Sequence, residues 1–271
     1  MTEFRRDPLT HRWIITGFAS SENPEELVPT LKKAPETCPF CEGKEYLTAP
    51  ESYAIRKNGN YNGPGWEIRV VPNRGTDLRI AELHKRGQSG IYDLQDASGV
   101  HETIIETPKH INRFSELEIG QVVNVLKTFQ QRYGEHKKNH LLKSALIYRN
   151  QGKGSAVIYE HTHSQIISLP FIPRMITDEI TGAKKYFHFK SRCIFCDMVV
   201  EETKINQRIV FEKGDYLAWC PFAARFPFET WIVPKKHHSE FVCADSNSFE
   251  DLGTVLKTVL AKIEKIVGEE L

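Results

Sequence analysis

Residues 160–170 read EHTHSQIISLP, and their types and spacing suit chemistry on a phosphate. In an extended chain alternate side chains share a face, so His161, His163 and Gln165 project from one side of a strand. Two imidazoles and an amide in a row are costly to bury without partners. For any single histidine, the competing reading is a surface residue or a hydrogen-bonded core residue. The approach to the stretch weighs against it. Arg149–Ser155, RNQGKGS, carries Gly152 and Gly154, which free backbone amides to face an anion. A glycine-bearing polar turn followed by H-x-H-x-Q suggests phosphate chemistry carried out by histidine.

Four of the six cysteines form two C-x-x-C pairs, Cys38/Cys41 in CPFC and Cys193/Cys196 in CIFC. Three readings compete. A redox dithiol belongs where a strand opens into a helix, whereas Cys41 runs into a turn-like Glu-Gly-Lys. A single four-cysteine zinc ribbon needs much closer pairs than these. In the third reading, each pair gives two thiolates to its own Cys/His zinc site. Cys220 and Cys243 read as buried small apolar groups.

The 271 residues suffice for one large or two small domains, with 40% hydrophobic and 26% charged residues. A formal net charge of +1 points to neither nucleic acid nor an anionic membrane. No apolar run approaches membrane-spanning length, and the amino terminus lacks an apolar signal core. The expectation is a cytoplasmic protein with reduced cysteines.

Several elements must position these residues. Strands are expected around Trp13–Ile15, over Trp66–Val71 up to Pro72, over 99–107, over 141–149 and in the H-x-H-x-Q stretch itself. Ser115-Glu-Leu-Glu118 reads as a capping box for a helix with Leu117, Val122, Val125, Leu126, Phe129 and Tyr133 on one face. That stripe is core. Later, CIFC precedes a strand around Tyr216–Cys220, then PFETWIVPKKH, then a helix opening at Ser248–Asp251.

This order repeats. HETIIETPKH (101–110) and FETWIVPKKH (228–237) share Glu, Thr, Ile, Lys and the last His, each between a C-x-x-C and a helix. We read an internal duplication. The units are 1–180, holding H-x-H-x-Q, and 181–271, which is shorter because no strands follow its helix.

The first unit then offers Cys38, Cys41, His110 and His161, a charge-neutral tetrahedral set for zinc. His163 is left free on the same face. A neutral imidazole in one tautomer has a lone pair able to attack phosphorus.

The motifs RRDPLTHRW, CPFC, VVPNR, ETPKH, YRNQGKGS, HTHSQI, CIFC and PFAARFPFETWIVPKKH resemble the galactose-1-phosphate uridylyltransferase family of the histidine-triad superfamily. The resemblance implies two fused α+β units with antiparallel sheets and packed helices. It implies a nucleotidyl group carried on a histidine, here His163, with Gln165 steadying the transferred phosphate. A related hydrolase branch has His where Gln165 stands, so the Gln favours transfer. Asn73 would face the nucleotide, and Asn150, Gly152, Gly154 and Ser155 the phosphates. Cys193, Cys196 and His237 would be three ligands of a second metal site; His188, water or a neighbouring chain could supply a fourth.

The chain departs from the family's pattern in several places. Phe18–Asn23 stands where a basic Arg-Ala-x-Arg-Pro run is usual, and Arg-Gly-Thr-Asp follows Asn73 without the usual aromatic and Pro. Ile158, Tyr159 and Glu160 replace smaller residues before H-x-H, and the second unit has no closing H-x-H. The expectation is a divergent nucleotidyltransferase using a nucleotide sugar or nucleotide and a sugar phosphate or phosphate. The alternatives are a phosphorylase or hydrolase of nucleotide sugars or dinucleoside polyphosphates, and a non-catalytic zinc-stabilised nucleotide-binding protein. A homodimer would cover the open edge of the shorter unit. His11, His84, His101, His136, His140 and His188 are expected to be surface or structural residues.

Overall fold

The computed structural model describes residues 3–8, 12–16, 35–73, 78, 86–152, 155 and 159–268. In chain order the strands of the first half are β1 (Glu3–Arg6), β2 (Trp13–Thr16), β3 (Tyr53–Arg56), β4 (Trp66–Pro72), β5 (Arg86–Ser89), β6 (Tyr92–Asp96) and β7 (Val100–Ile105). Helix α1 (Ile119–Lys137) precedes β8 (Ser144–Tyr148) and β9 (His163–Leu169). Then come α2 (Arg174–Lys190), α3 (Ile194–Ile205), β10 (Ile209–Lys213), β11 (Tyr216–Trp219), β12 (Trp231–Pro234) and α4 (Phe249–Val267). This is the α+β class expected, with every described strand pair antiparallel. Among the described residues no helix is long and apolar enough to cross a membrane.

The chain divides into two compact units, Met1–Asn112 with Gln131–Thr177, and Arg113–Gln130 with Asp178–Leu271. The boundary passes through α1.

In the first unit the main sheet runs β3-β4-β7-β9-β8, and a second runs β2-β1-β6-β5. Apolar residues fix the register of the main sheet: Ile68, Val70, Ile104, Ile105 and Ile166 are all fully buried. Each such aliphatic side chain contributes roughly 2 kcal/mol on leaving water, and a one-residue slip would exchange the two faces and their packing. Gly99 leads into β7 because nothing larger fits; a Cβ there would lie 2.5 Å from the Ser168 carbonyl oxygen.

Several polar groups buried beside this core are paired with one another. Arg69, 1% exposed, donates to Glu51 Oε2 at 2.9 Å and to Thr48 Oγ1 at 2.7 Å, while Arg56 Nη2 meets Glu51 Oε1 at 2.6 Å. Burial would raise the Glu51 carboxyl, but the Arg56 guanidinium, the Asn62 N–H and Arg69 together hold it below its ordinary value. Trp66 Nε1 donates to Glu45 Oε1 at 2.7 Å. These bonds pin the loop that follows CPFC against β4. Elsewhere Ser168, His136 and Glu102 are linked at 2.8 and 3.1 Å, the connectivity of a hydrolytic triad. All three are buried, so the arrangement ties α1 to β7 and β9 and is structural.

The second unit's sheet runs β10-β11-β12, matching β3-β4-β7 in direction and in its place after a C-x-x-C. Leu217, Ala218 and Trp219 are fully buried, and α4 covers the sheet through Val255 and Val259. A Cβ on Gly253 would meet Val122 Cγ1 at 2.9 Å, so α4 packs closely on the start of α1.

The helix expected from Ser115 begins later, at Ile119. A 3-10 turn occupies Phe114–Glu116, and the Ser115 hydroxyl donates to Glu264 Oε2 at 2.6 Å instead of capping. The Glu118 carbonyl takes the first helical N–H groups, from Gln121 and Val122. Cys243 is exposed and Cys220 half-buried, against the expectation of two buried thiols. Cys243 closes a short 3-10 turn, Phe241–Cys243, outside the strands and helices that bury side chains.

Candidate active site and metal centres

β9 lies between β7 and β8, paired Thr103↔Gln165 and Ile105↔His163 on one side and Tyr148↔Gln165 on the other. The strand begins at His163, so His161 precedes the ladder rather than lying in it. The Thr162 N–H turns to the Ile111 carbonyl at 2.7 Å, while the Thr162 carbonyl still accepts from the Glu106 N–H at 3.3 Å. From there side chains alternate. Ser164, Ile166 and Ser168 are buried on one face; His163 and Gln165 are half-buried on the other.

The His163 ring is oriented by its neighbour. Its Nδ1 lies 2.7 Å from the His161 carbonyl oxygen, which can only accept, so Nδ1 carries the proton. Nε2 is then the unprotonated nitrogen, and among the described residues it has no hydrogen-bond partner. Burial lowers the ring's pKa, against opposing pulls from the His161 carbonyl and Glu106, so the imidazole is held neutral. The Phe40 ring of CPFC stands edge-on to it, with centroids 5.1 Å apart.

The opposite face of the same strand is held by Glu106, which is fully buried. It accepts from Thr162 Oγ1, Ser164 Oγ and Arg149 Nη1, each at 2.5 Å. Arg149 Nη1 also reaches the His163 carbonyl oxygen at 3.3 Å. The residues between the functional ones thus clamp the strand from below.

Gln165 Oε1 accepts from Asn73 Nδ2 at 3.0 Å and from Tyr148 OH at 2.9 Å, and lies 2.8 Å from His101 Nε2. Asn73, expected near the nucleotide, is therefore beside Gln165. His101, expected to be a surface or structural residue, is 8% exposed and takes part in this cluster. Burial lowers its pKa, with the Gln165 bond opposing. His101, Tyr148, Glu106 and Phe40 are the site neighbours that sequence reasoning missed. Strand register brings His101, Glu106 and Tyr148 to H-x-H-x-Q, and the CPFC turn brings Phe40.

Cys38, Cys41, His110 and His161 converge, with one ligand atom from each inside 4.8 Å of every other. Sγ to Nδ1 separations are 3.3 Å for Cys41–His110, 3.6 Å for Cys41–His161 and 3.7 Å for Cys38–His161. Bonds of about 2.3 Å to sulfur and about 2.0 Å to nitrogen in a tetrahedron give edges near 3.5 Å, so the set fits a metal ion. His161 Nε2 lies 2.8 Å from the Thr107 carbonyl oxygen, which fixes its proton there and leaves Nδ1 for a metal. Without a cation beside it, burial pushes the Cys41 thiol up to about 11, and Cys38 adds to the shift. A bound cation reverses that preference.

Cys193, Cys196 and His237 form a second group, with Cys196 Sγ 3.3 Å from His237 Nδ1. Cys193 sits at the N-cap of α3, so this C-x-x-C lies on a helix start rather than in a turn. These three could hold a metal; His188, near the end of α2, is not among them.

The polar turn is described in part. Gly152 has φ +89°, open to glycine, and its carbonyl accepts from Ser155 Oγ at 2.6 Å. Asn150 is exposed. Gly154, Ile158, Phe18–Asn23, the Arg-Gly-Thr-Asp run, His11 and His84 lie outside the described residues.

Residues 5–173 match the family model described as galactose-1-phosphate uridyl transferase, N-terminal domain. The chain is 29% identical to an ADP-glucose phosphorylase of Arabidopsis thaliana over 98% of its own length and 75% of the relative's. It is 27% identical to a galactose-1-phosphate uridylyltransferase of Thermotoga maritima, over 100% and 78%. A solved uridylyltransferase structure superposes with a TM-score of 0.81 at 27% identity, over 99% of this chain and 77% of that one. An ADP-glucose phosphorylase from Arabidopsis thaliana, solved with bound ADP-glucose, does so with 0.72 at 28%, over 98% and 79%.

Proposed function

The chain belongs to the galactose-1-phosphate uridyl transferase family, and we propose that it moves a nucleoside monophosphate from a nucleotide sugar through a nucleotidyl group held on His163. It is an enzyme of the nucleotidyltransferase type. The observation that carries the covalent reading is the His163 tautomer: Nδ1–H is committed to the His161 carbonyl, and the Nε2 lone pair is free.

His163 Nε2 attacks the phosphorus next to the nucleoside. The N–P bond forms as the P–O bond to the departing sugar phosphate breaks, and that oxygen keeps the electron pair. The ring now carries positive charge, and Nδ1–H stays on the carbonyl that already accepts it. In the second step an acceptor phosphate oxygen attacks the same phosphorus, and imidazole leaves with its lone pair. Two in-line displacements replace one attack between two anions. Gln165 donates to a nonbridging oxygen without adding charge, and the 149–155 turn offers amides to the others.

Zinc in the Cys38/Cys41/His110/His161 site would be structural: it fastens the CPFC loop and the end of the β7 segment to the residue that orients His163. The Cys193/Cys196/His237 group would hold a second zinc. The two units are read as duplicated histidine-triad-like folds, 1–180 and 181–271.

The acceptor distinguishes two versions. A sugar phosphate makes the protein a uridylyltransferase-like exchanger; inorganic phosphate makes it a phosphorylase, which the likeness to the plant ADP-glucose phosphorylase favours. Incubation with ADP-glucose or UDP-glucose and no acceptor should add one nucleoside monophosphate in mass, labile to acid as a phosphoramidate. Phosphate or a sugar phosphate should then release it. No adduct on His163 with either donor, under conditions of turnover, overturns the covalent reading.

A further inference from the structure

We propose that His101 and Tyr148 are positioning residues for Gln165, holding its amide so that the NH2 group, not the carbonyl, faces the transferred phosphoryl group. The inference rests on the reading of His163 and Gln165 given above. It concerns which end of a symmetric-looking side chain the protein presents.

An amide offers one acceptor and two donor hydrogens of nearly equal size. Turned one way, Gln165 stabilises a phosphate oxygen; turned the other way, its carbonyl repels it. The end can be selected only by what binds the far atom. Three groups converge there: Asn73 Nδ2 at 3.0 Å, Tyr148 OH at 2.9 Å and His101 Nε2 at 2.8 Å from Oε1. The Asn73 amide also points its NH2 at Thr103 Oγ1, 3.0 Å away. Among the described residues no acceptor meets Gln165 Nε2.

The sheet explains why these groups coincide. Tyr148 is the direct cross-strand partner of Gln165 on β8, and Thr103 is its partner on β7. His101 stands two residues from Thr103, hence on the same face. The Asn73 N–H donates to the His101 carbonyl at 2.9 Å, which aligns the end of β4 with both. Tyr148 OH also lies 3.2 Å from His101 Nε2, so phenol and imidazole brace each other around the oxygen. An imidazole enclosed on a sheet face, with its nitrogen at a carbonyl oxygen, is an N–H donor in a fixed direction. An amide held this way needs no reorganisation when charge develops on the phosphate.

The test is a mutant cycle on the first-step rate at saturating donor, using ADP-glucose and UDP-glucose as probes. His101→Ala combined with Tyr148→Phe should slow nucleotidylation at least about tenfold, toward the roughly hundredfold or more that losing an oxyanion donor outright costs, and change half-saturation less than about twofold. In a Gln165→Ala background the same pair should have less than a twofold effect, because the device acts only through that amide. His101→Gln, which restores an N–H donor, should recover most of the rate. Equal losses in both backgrounds would mean a general structural role and overturn the proposal. A second readout needs no activity. In crystals of the His101→Ala/Tyr148→Phe protein, Gln165 should adopt several orientations where the wild type shows one. If neither donor labels the wild type, the functional reading fails and the crystal result alone decides: an equally fixed Gln165 in the variant refutes the positioning role.

Discussion

The Nδ1 of His163 stands 2.7 Å from the carbonyl oxygen of His161, two residues earlier in the chain. One residue therefore serves two neighbours. The side chain of His161 joins the Cys38/Cys41/His110 group, and its backbone sets the tautomer of the ring that follows. The Cys/His group and the His163 ring are coupled through a single peptide.

That coupling separates two substitutions. His163→Ala should abolish nucleotidylation while leaving metal content and melting temperature near wild type. His161→Ala should lower all three. Mass spectrometry with ADP-glucose or UDP-glucose, elemental analysis and thermal melts check the contrast. Near-normal turnover in His163→Ala would sink the mechanism.

The two C-x-x-C groups should lose metal independently. Protein purified without added metal should contain zinc, and Cys41→Ser should remove about one equivalent with a marked fall in stability. Cys196→Ser should remove only the metal of the second group, whose ligands are more exposed. Zinc-free wild type with full stability contradicts both expectations.

Glu106 is fully buried and neutralises Arg149, whose side chain is 16% exposed. Glu106→Gln removes the buried carboxylate charge that meets that guanidinium, and breaking such a pair costs about 3 kcal/mol or more. Urea unfolding should report a loss of this size. Because glutamine keeps only one acceptor oxygen, Thr162 and Ser164 can no longer both donate to this side chain, so the rate should fall too. A change under about 0.5 kcal/mol, the range of an ordinary surface substitution, would show that the clamp is unimportant.

Glu102 gives a pH signature. Burial alone would raise its carboxyl, but bonds from His136, Arg132 and Ser52 outweigh that and lower it from 4.5 to about 2. The folded state thus binds the proton less readily than the unfolded chain. Its contribution is complete above pH 4.5 and is lost as pH falls toward 2, amounting to about 3 kcal/mol. Unfolding free energies of wild type should fall across that window more steeply than those of Glu102→Gln. The difference between the two curves isolates this group from metal release, which both proteins share. Parallel curves would refute the assignment.

The parts of the site legible in the sequence were those that sit close together in it. His163 and Gln165 needed only strand alternation, His161 only its place just ahead of that strand, and Cys38 with Cys41 only thiol spacing. His110 followed from comparing the two E-T-x-I-x-x-x-K-H runs. What stayed hidden was cross-strand. His101 and Tyr148 lie 64 and 17 residues from Gln165, and no pattern within either strand marks them as its partners. Helix α2 was not anticipated although Ile176, Ile180, Ala183 and Phe187 recur in it at helical spacing; none of its side chains is buried. The false start at Ser115 arose because its hydroxyl had a better partner far along the chain, Glu264.

The two faces of β9 also limit how this gene can change. His163 and Gln165 point to one side, and Ser164 points to Glu106 on the other. A single codon inserted or deleted between His161 and His163 would exchange those sides for everything downstream. The imidazole would arrive beside a buried carboxylate, and a hydroxyl would take its place before the substrate. Point substitutions can tune this site by degrees. Length changes in this stretch cannot, except by two codons at a time, and even those would separate the His163 ring from the carbonyl that orients it.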